Sequence, residues 1–257
     1  MSMKILSYNV NGIRAAVRNG LIDWLTANPV DMLCLQEVKA TPDQVDLALF
    51  KDLGLELAGW HAAEKKGYSG VAVFTRQQPD LVLAGCGIPF FDAEGRVLRV
   101  DIGSTTLLNC YFPSGTSGEI RQTAKMQFLS DFEQFIEKLK IERPHLIICG
   151  DYNIAHTPMD IHDPVRNKNS SGYLPEERAW MTKWFRSGFT DAFRFLNPEK
   201  VEYSWWTYRA GARANNKGWR IDYFSVSDDL QSKLVDCRQF TDAVHSDHCP
   251  VLLEIDI

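Results

Sequence analysis

With 257 residues, 45% hydrophobic and 24% charged, the chain has the composition of a soluble globular protein and enough length to bury a sizeable core. No run approaches the roughly 18 apolar residues of a membrane-crossing helix, and the opening MSMKILSYNV has neither the basic leader nor the cleavage site of a secretory signal. A net charge of −5, taken alone, argues against a nucleic-acid partner.

In chain order, residues 4–10 read as a strand ending in a turn at Asn9, Asn11 and Gly12. Residues 21–27 fit a short amphipathic helix that stops before Pro29, and 31–35 a buried strand delivering Gln36, Glu37 and Lys39 at its end. Thr41-Pro42-Asp43 is a helix start, with Thr41 as N-cap and Pro42 in the first position. Strand candidates follow at 55–63, 70–75, 81–84, 97–102 and 105–112, separated by Gly, Pro or Asp clusters. The clearest helix is 119–140, where Met126, Phe128, Leu129, Phe132, Phe135, Ile136 and Leu139 recur at three- and four-residue steps. An apolar run from Leu146 to Cys149 then enters Gly150, Asp151 and Asn153, the pattern of a buried strand. Residues 161–173 have loop chemistry and 175–186 form a helix. The late strands are 201–207, 222–226, 235–240 and 249–255.

This order predicts two sheets packed face to face with helices outside. No Pro/Ser/Gly-rich linker divides the chain, so one domain over 1–257 is expected, and no internal sequence repeat is visible. The six cysteines show no C-x-x-C spacing, and Cys34, Cys110 and Cys149 lie inside strand-like runs. Reduced, buried thiols are therefore expected rather than disulfides or zinc ligands.

The chemical information sits at the strand ends. Asn9 and Asn11 follow one strand, Glu37 another, and Asp151 and Asn153 a third; Asp222 opens a fourth, and Ser246-Asp247-His248 precedes the last. Alternation along a strand sends Asp151 and Asn153 to one side, where they can hold a hard cation or a water. Five distant segments would thus bring carboxylates, amides and an imidazole to one rim of the sandwich. Oxygen donors of this kind suit Mg²⁺ or Mn²⁺, not Zn²⁺. A cation among Glu37, Asp247 and the Asn9/Asn11 turn would relieve carboxylate repulsion and polarise a phosphoryl oxygen. Each residue also has a plainer reading. Strand-end Asn forms turns with its own backbone, Glu37 fits a solvated loop, and His248 fits a structural hydrogen bond. Asp222 follows Ile221 and is costly to bury unpaired; a histidine is its natural partner, since a carboxylate fixes the tautomer and raises the basicity.

The charge distribution qualifies the net charge. Between residues 160 and 220 there are 11 Lys/Arg against 7 Asp/Glu, a local balance of +4. Residues 205–220, WWTYRAGARANNKGWR, hold four basic residues and no acid, a composition suited to meeting phosphates.

The segments SYNVNGIRA, CLQEVK, GYSGVAVF, CYFPSG, CGDYNIAH, GWRIDYF and SDHCP, in this order, resemble the exonuclease III family of apurinic/apyrimidinic endonucleases, in the endonuclease–exonuclease–phosphatase superfamily. The resemblance covers nearly the whole chain. GDxN and SDH mark the superfamily; LQEVK, GYSG and GWRxDYF mark its DNA-repair branch. It implies an α+β, DNase-I-like fold, a four-layer sandwich of two mostly antiparallel sheets flanked by helices. It also implies a Mg²⁺- or Mn²⁺-dependent hydrolase that incises duplex DNA 5′ of abasic sites, with 3′-phosphodiesterase and 3′→5′ exonuclease action at the same centre. By similarity Asp151 is the general base, Asn153 holds the water or the phosphate, His248 contacts a non-bridging oxygen and Asp222 orients His248. Tyr111 stands beside the scissile phosphate and assists or positions the leaving group; by residue type alone it is a half-buried strand-end aromatic with a wet hydroxyl. Glu37 is the principal metal ligand, with Asp247, Asn9, Asn11, Asp151 and Asn153 around it. Two departures stand out: Asn11 replaces the Asp of some members, and Ser117 replaces a basic residue of animal members.

Within 205–220, Arg209, Arg213, Lys217 and Arg220 are expected on phosphates. Trp219 with Trp205 would wall a pocket for a flipped, base-free sugar. One of Trp205 and Trp206 would turn into the core. Asn167 and Lys168 belong to a second polar loop, which fits either a path along the DNA backbone or a plain solvated loop. The expected partner is duplex DNA with abasic sites or blocked 3′ ends, met by a monomeric cytoplasmic protein of bacterial type, used at the nucleoid, that needs no membrane. The alternative is a superfamily phosphodiesterase of small or lipid phosphates, for which residues 205–220 would be superfluous.

Overall fold

Apolar side chains alternate between two faces along the core strands, and that alternation sets the layering. The computed structural model describes residues 2–257. Along the chain run β1 (Ser2–Asn9), α1 (Ile13–Arg18), α2 (Leu21–Ala27), β2 (Met32–Gln36), α3 (Ala48–Lys51), β3 (Glu56–His61), β4 (Val71–Thr75), β5 (Leu81–Ala84), α4 (Pro89–Asp92), β6 (Val97–Ile102), β7 (Thr105–Tyr111), α5 (Glu119–Glu142), β8 (His145–Asp151), α6 (Pro175–Arg186), β9 (Phe189–Asp191), α7 (Ala192–Leu196), β10 (Asp222–Ser227), β11 (Leu234–Gln239) and β12 (Val251–Asp256). They form two six-stranded sheets, ordered β11-β12-β1-β2-β4-β3 and β5-β6-β7-β8-β10-β9. Ile5, Cys34, Leu107 and Ile147 face the space between the sheets; their neighbours Leu6, Leu35, Leu108 and Ile148 face outward into the helical layers. Two sheets and two helical layers make the expected four-layer sandwich.

Each sheet has one parallel pair at its centre, β1–β2 and β7–β8, with antiparallel neighbours outside it. A parallel pair needs a crossover. Helices α1 and α2 supply it in the first sheet and α5 in the second. The C-terminal ends of all four parallel strands carry the polar residues singled out above: Asn9, Gln36 before Glu37, Tyr111 and Asp151. Just below this rim a buried amide pair crosses between the sheets. Gln36 Nε2 donates to Asn109 Oδ1 at 2.7 Å, and Asn109 Nδ2 donates to the carbonyls of Leu35 and Ala72, both at 2.9 Å. Gly150 has φ 133°, and a Cβ there would lie 1.8 Å from the Cys110 carbonyl oxygen. No side chain fits at that position, so Gly is what lets β8 approach β7 one residue before Asp151.

Several expectations need correction. Residues 201–207 form no strand but make single bridges, Trp205 with Trp219 and Trp205 with His248. The Thr41 box opens only a three-residue 3₁₀ turn, Pro42–Gln44. Strand β9 and helix α7 went unpredicted, because three strand residues are too few to show a period.

Arg220 is the largest correction. It is 1% exposed, donates to Asp160 Oδ1 through Nε at 2.7 Å, and grips Asp191 through both terminal nitrogens at 3.1 and 2.7 Å. It stacks on Phe193 and Tyr223 and cannot meet a phosphate. Arg213 is likewise spent: it donates to the carbonyls of Ser246, Thr241 and Ala243 and stacks on Trp206. Arg209 and Lys217 are exposed, as is Lys168, while Asn167 closes its own turn on the carbonyls of His162 and Asp163.

Burial opposes ionisation of Asp160, but Arg220 and Arg194 outweigh it and hold the carboxyl well below the usual carboxylate range. A depressed folded-state pKa gives stability that is present above about pH 4 and lost as pH falls. Arg220→Met leaves buried Asp191 without its guanidinium partner and Asp160 with Arg194 alone, and should lower the unfolding free energy by about 3–5 kcal/mol in urea titration. Arg209→Ala should change it by less than about 0.5 kcal/mol.

Candidate active site

The rim residues meet at the floor of an open cleft of about 620 Å³ lined by, among others, Glu37, Tyr111, Asp151, Asn153, Asp247 and His248. Asn11, Glu37 and Asn153 have φ of 45°, 55° and 53°. A left-handed residue at a strand end reverses the chain at once, so each of these side chains is turned back over the rim.

At the centre lies a charge relay built from both sheets. His248, which precedes β12, has its Nδ1 2.8 Å from Asp222 Oδ2. A carboxylate only accepts, so Nδ1 carries the proton and Nε2 points onward. Nε2 lies 3.8 Å from Asp151 Oδ2, on the strand paired with that of Asp222. Ser204 completes the far side, donating to Asp222 Oδ2 at 2.6 Å while accepting from the amides of Ile221 and Asp222 at 3.0 and 3.1 Å. Asp151 in turn accepts from Asn9 Nδ2 at 2.9 Å and from the Asn153 amide at 2.8 Å. Burial by itself would discharge His248, but the carboxylates of Asp222 and Asp151 overcome it and raise its pKa to about 10. Burial, opposed by His248 and reinforced by Asp222, pushes Asp151 up to about 7. Burial, with the charges of Glu37 and Asp151, pushes the Tyr111 hydroxyl up, so it stays an O–H donor. The Tyr111 ring lies under the Arg96 guanidinium, 5.0 Å from its centroid.

The second half of the site is acidic and open. Glu37 pairs with Lys39 at 2.8 Å, and Lys39 also donates to Asn11 Oδ1 at 2.6 Å. Asp247 accepts from Asn11 Nδ2 and Trp205 Nε1, both at 3.0 Å. Burial opposes the ionisation of Asp247, but His248, Trp205 and Asn11 keep it ionised below the ordinary range. The carboxylates of Glu37 and Asp247 at the cleft mouth are hard-cation donors, whereas Asn11 Oδ1 is taken by Lys39. The tighter Asp151–Asp222–His248 group, whose ligand atoms lie within 4.8 Å of one another, already has an imidazolium as its positive charge.

The structure brings Asp151, Asn153, His248, Asp222, Tyr111, Glu37, Asp247 and Asn11 together as expected. It does not bring Asn9 to the cation position. Asn9 is buried, with Nδ2 on Asp151 and Oδ1 taken by the Asn11 amide. Trp205 and Trp219 meet edge to face at the cleft wall, 6.0 Å between ring centres, and Trp206 is the one that enters the core. Sequence reasoning missed Ser204, Arg96 and the pair Lys125–Glu177. Neither serine nor a charged residue on an amphipathic helix carries a signal of its own; Arg96 sits between two motifs that were noted.

Comparison with known proteins agrees with this geometry. The model of the Endonuclease/Exonuclease/phosphatase family matches residues 6–248. An exodeoxyribonuclease of Bacillus subtilis (strain 168) is 41% identical over 99% of this chain and 100% of its own length. Among solved structures, an AP endonuclease from Archaeoglobus fulgidus superposes with a TM-score of 0.90 at 30% identity, covering 99% of this chain and 100% of that one. A 3′ phosphatase from Neisseria bound to product DNA hairpin gives the same TM-score, identity and coverage.

The relay predicts a measurable histidine. In metal-free protein followed by NMR, the His248 ring signals should titrate near 10, and Asp222→Asn should bring them back toward the ordinary histidine range. Asp247→Asn should move them far less, since Asp247 is the weaker neighbour.

Proposed function

The chain belongs to the Endonuclease/Exonuclease/phosphatase family, and from that premise we propose that it is a DNA-repair phosphodiesterase that incises duplex DNA on the 5′ side of abasic sites. The observation that carries this reading is the junction of the Asp151–His248–Asp222 relay with a tryptophan-walled cleft. Nuclease names among the relatives support it, and the 3′ phosphatase neighbour supports work on blocked 3′ ends at the same centre.

Asp151 acts as general base. With a pKa near 7 it is ionised in a large share of molecules at neutral pH and basic enough to take a proton from the attacking water. Asn153 is fixed by its amide on Asp151 and its Nδ2 on the Phe112 carbonyl at 3.0 Å, which leaves its carboxamide oxygen to hold that water. His248, kept as an imidazolium, donates through Nε2 to a non-bridging phosphoryl oxygen as charge builds there. As the water oxygen bonds to phosphorus the P–O3′ bond breaks, and Tyr111 passes its hydroxyl proton to the departing 3′ oxygen and is reprotonated from solvent. The products are a 3′-hydroxyl and a 5′-deoxyribose phosphate. Glu37 and Asp247, with Asn11 beside them, would hold Mg²⁺ or Mn²⁺, which supplies Lewis-acid polarisation of the phosphoryl group. Trp219, Trp205 and Ile221 form the apolar wall for a base-free sugar; extruding it is cheap because no base must be unstacked. Arg209, Lys217 and Lys168 are the exposed cations left for phosphates. Six free, buried thiols support a reducing, cytoplasmic setting.

The deciding assay sets a duplex with a central abasic analogue beside a matched intact duplex and a phosphoinositide, each with Mg²⁺. A metal-dependent nick confined to the abasic duplex is expected, and EDTA should abolish it. Turnover of the phosphoinositide alone would replace this reading with a lipid-phosphate enzyme. Asp151→Asn should cut incision by at least about 10³-fold while abasic-DNA binding is retained. The kcat/KM profile should rise as Asp151 ionises and fall at higher pH as His248 loses its proton.

A further inference from the structure

Three backbone segments border the Trp219 side of the cleft: the loop 114–118, the turn at Asn153 and the turn 170–172. They come from distant parts of the chain and share one buried support. Glu177, in the first turn of α6, is 0% exposed. Its Oε1 accepts from Lys125 Nζ at 2.6 Å and Gln122 Nε2 at 3.0 Å; its Oε2 accepts from the amides of Gly172 and Leu174 at 2.7 and 2.9 Å. Lys125, on α5, is also 0% exposed and donates to the Asn153 carbonyl at 2.8 Å. Gln122 carries the third branch: its Oε1 accepts from Ser171 Oγ at 2.7 Å and lies 1.8 Å from where a Gly115 Cβ would stand.

A fully buried Lys–Glu pair is an expensive way to join two helices, because an apolar pair of similar size usually serves as well or better. Apolar side chains, however, cannot fix the direction of a carbonyl or of two amides. Those groups belong to the segments that must be exact to fractions of an ångström. Asn153 sits at φ 53°, a conformation few non-glycine residues adopt. At Gly172 (φ 93°) a Cβ would stand 2.9 Å from Trp219 Cζ3 and 3.0 Å from the Asn153 carbonyl oxygen, so the two turns and the tryptophan are in direct contact.

We propose that Lys125 and Glu177 are positioning residues of the catalytic site: Lys125 through the Asn153 carbonyl, and Glu177 through the Gly172 and Leu174 amides, set the spacing between the Asn153 carboxamide and the Trp219 wall. This rests on the phosphodiesterase reading above. Neither residue touches substrate, so their loss acts on the placing of the water and the sugar and leaves contacts to flanking phosphates intact.

The test uses the full chain as Lys125→Met, Glu177→Gln and the double variant, with melting temperature, hydrogen–deuterium exchange, and kcat and KM on the abasic duplex. Lys125→Met strands a buried carboxylate and should melt well below wild type. The double variant has no charge at either of these two positions and should regain most of that loss. Its kcat should nonetheless stay about 10–100-fold low, with KM within about threefold of wild type. Its amides at 153–155 and 172–174 should exchange faster, and those of the β-sheets should not. Recovery of kcat together with melting temperature would overturn the proposal, leaving the pair a purely structural tie. A raised KM with unchanged kcat would also overturn it. If wild type fails to nick abasic DNA, the functional reading falls, and exchange still decides: unchanged protection at the two turns in the double variant sinks the positioning role.

Discussion

One imidazolium between two buried carboxylates holds the site together. His248 stands on the first sheet's side of the molecule, whereas Asp222 and Asp151 stand side by side on paired strands of the second. Without the positive ring, two adjacent carboxylates in a dry environment would repel, and one would take up a proton. With it, Asp151 is held near neutrality, where a base is most useful, and His248 remains a donor. The same contact is a polar bridge across the sheet-to-sheet seam at this rim. Asn9 makes another, its amide crossing from β1 to Asp151. Chemistry and assembly therefore depend on the same few atoms.

The placing of those atoms follows from topology. Both sheets share one pattern, a central parallel pair flanked by antiparallel strands, although no repeat is visible in the sequence. Parallel neighbours end at the same edge, and the packing of the sheets puts both edges on one rim. Carboxyl ends of parallel strands are where binding sites gather in open α/β sheets. Here two such edges face each other, one contributing Asn11 and Glu37 and the other Tyr111 and Asp151, with Asp222 beside Asp151.

Much of this was legible in the sequence because the signals were local. Short apolar runs ending in Asn, Glu or Asp marked the strand ends, and the three- and four-residue period of α5 named the residues that pack on the second sheet. The failures have a common physical cause. A stretch rich in arginine and tryptophan reads the same whether its guanidinium groups face phosphates or lie flat on buried rings. Arg220 and Arg213 do the latter, using Asp160, Asp191 and a set of carbonyls as partners. Residues 201–207 alternate as a strand should, yet their backbone bonds go to Trp219, Asp247 and Cys249, so they staple loops together without joining a sheet. Lys125 and Glu177 could not be found by pattern, since a charged residue on a helix is normally solvated.

The amide pair Gln36–Asn109 has a consequence for the molecule as a mechanical object. A seam packed only with apolar side chains resists separation but does little to fix the direction of sliding, because dispersion and burial have no direction. Amide hydrogen bonds do have direction, and this pair bonds across the seam beneath a centre whose acid and base stand on opposite sides. It works like a dowel pin in a two-part mould. The alignment tolerance of the reaction is thus set by uncharged groups that never see the substrate, and a variant lacking them would keep every catalytic side chain while losing the register between the two halves.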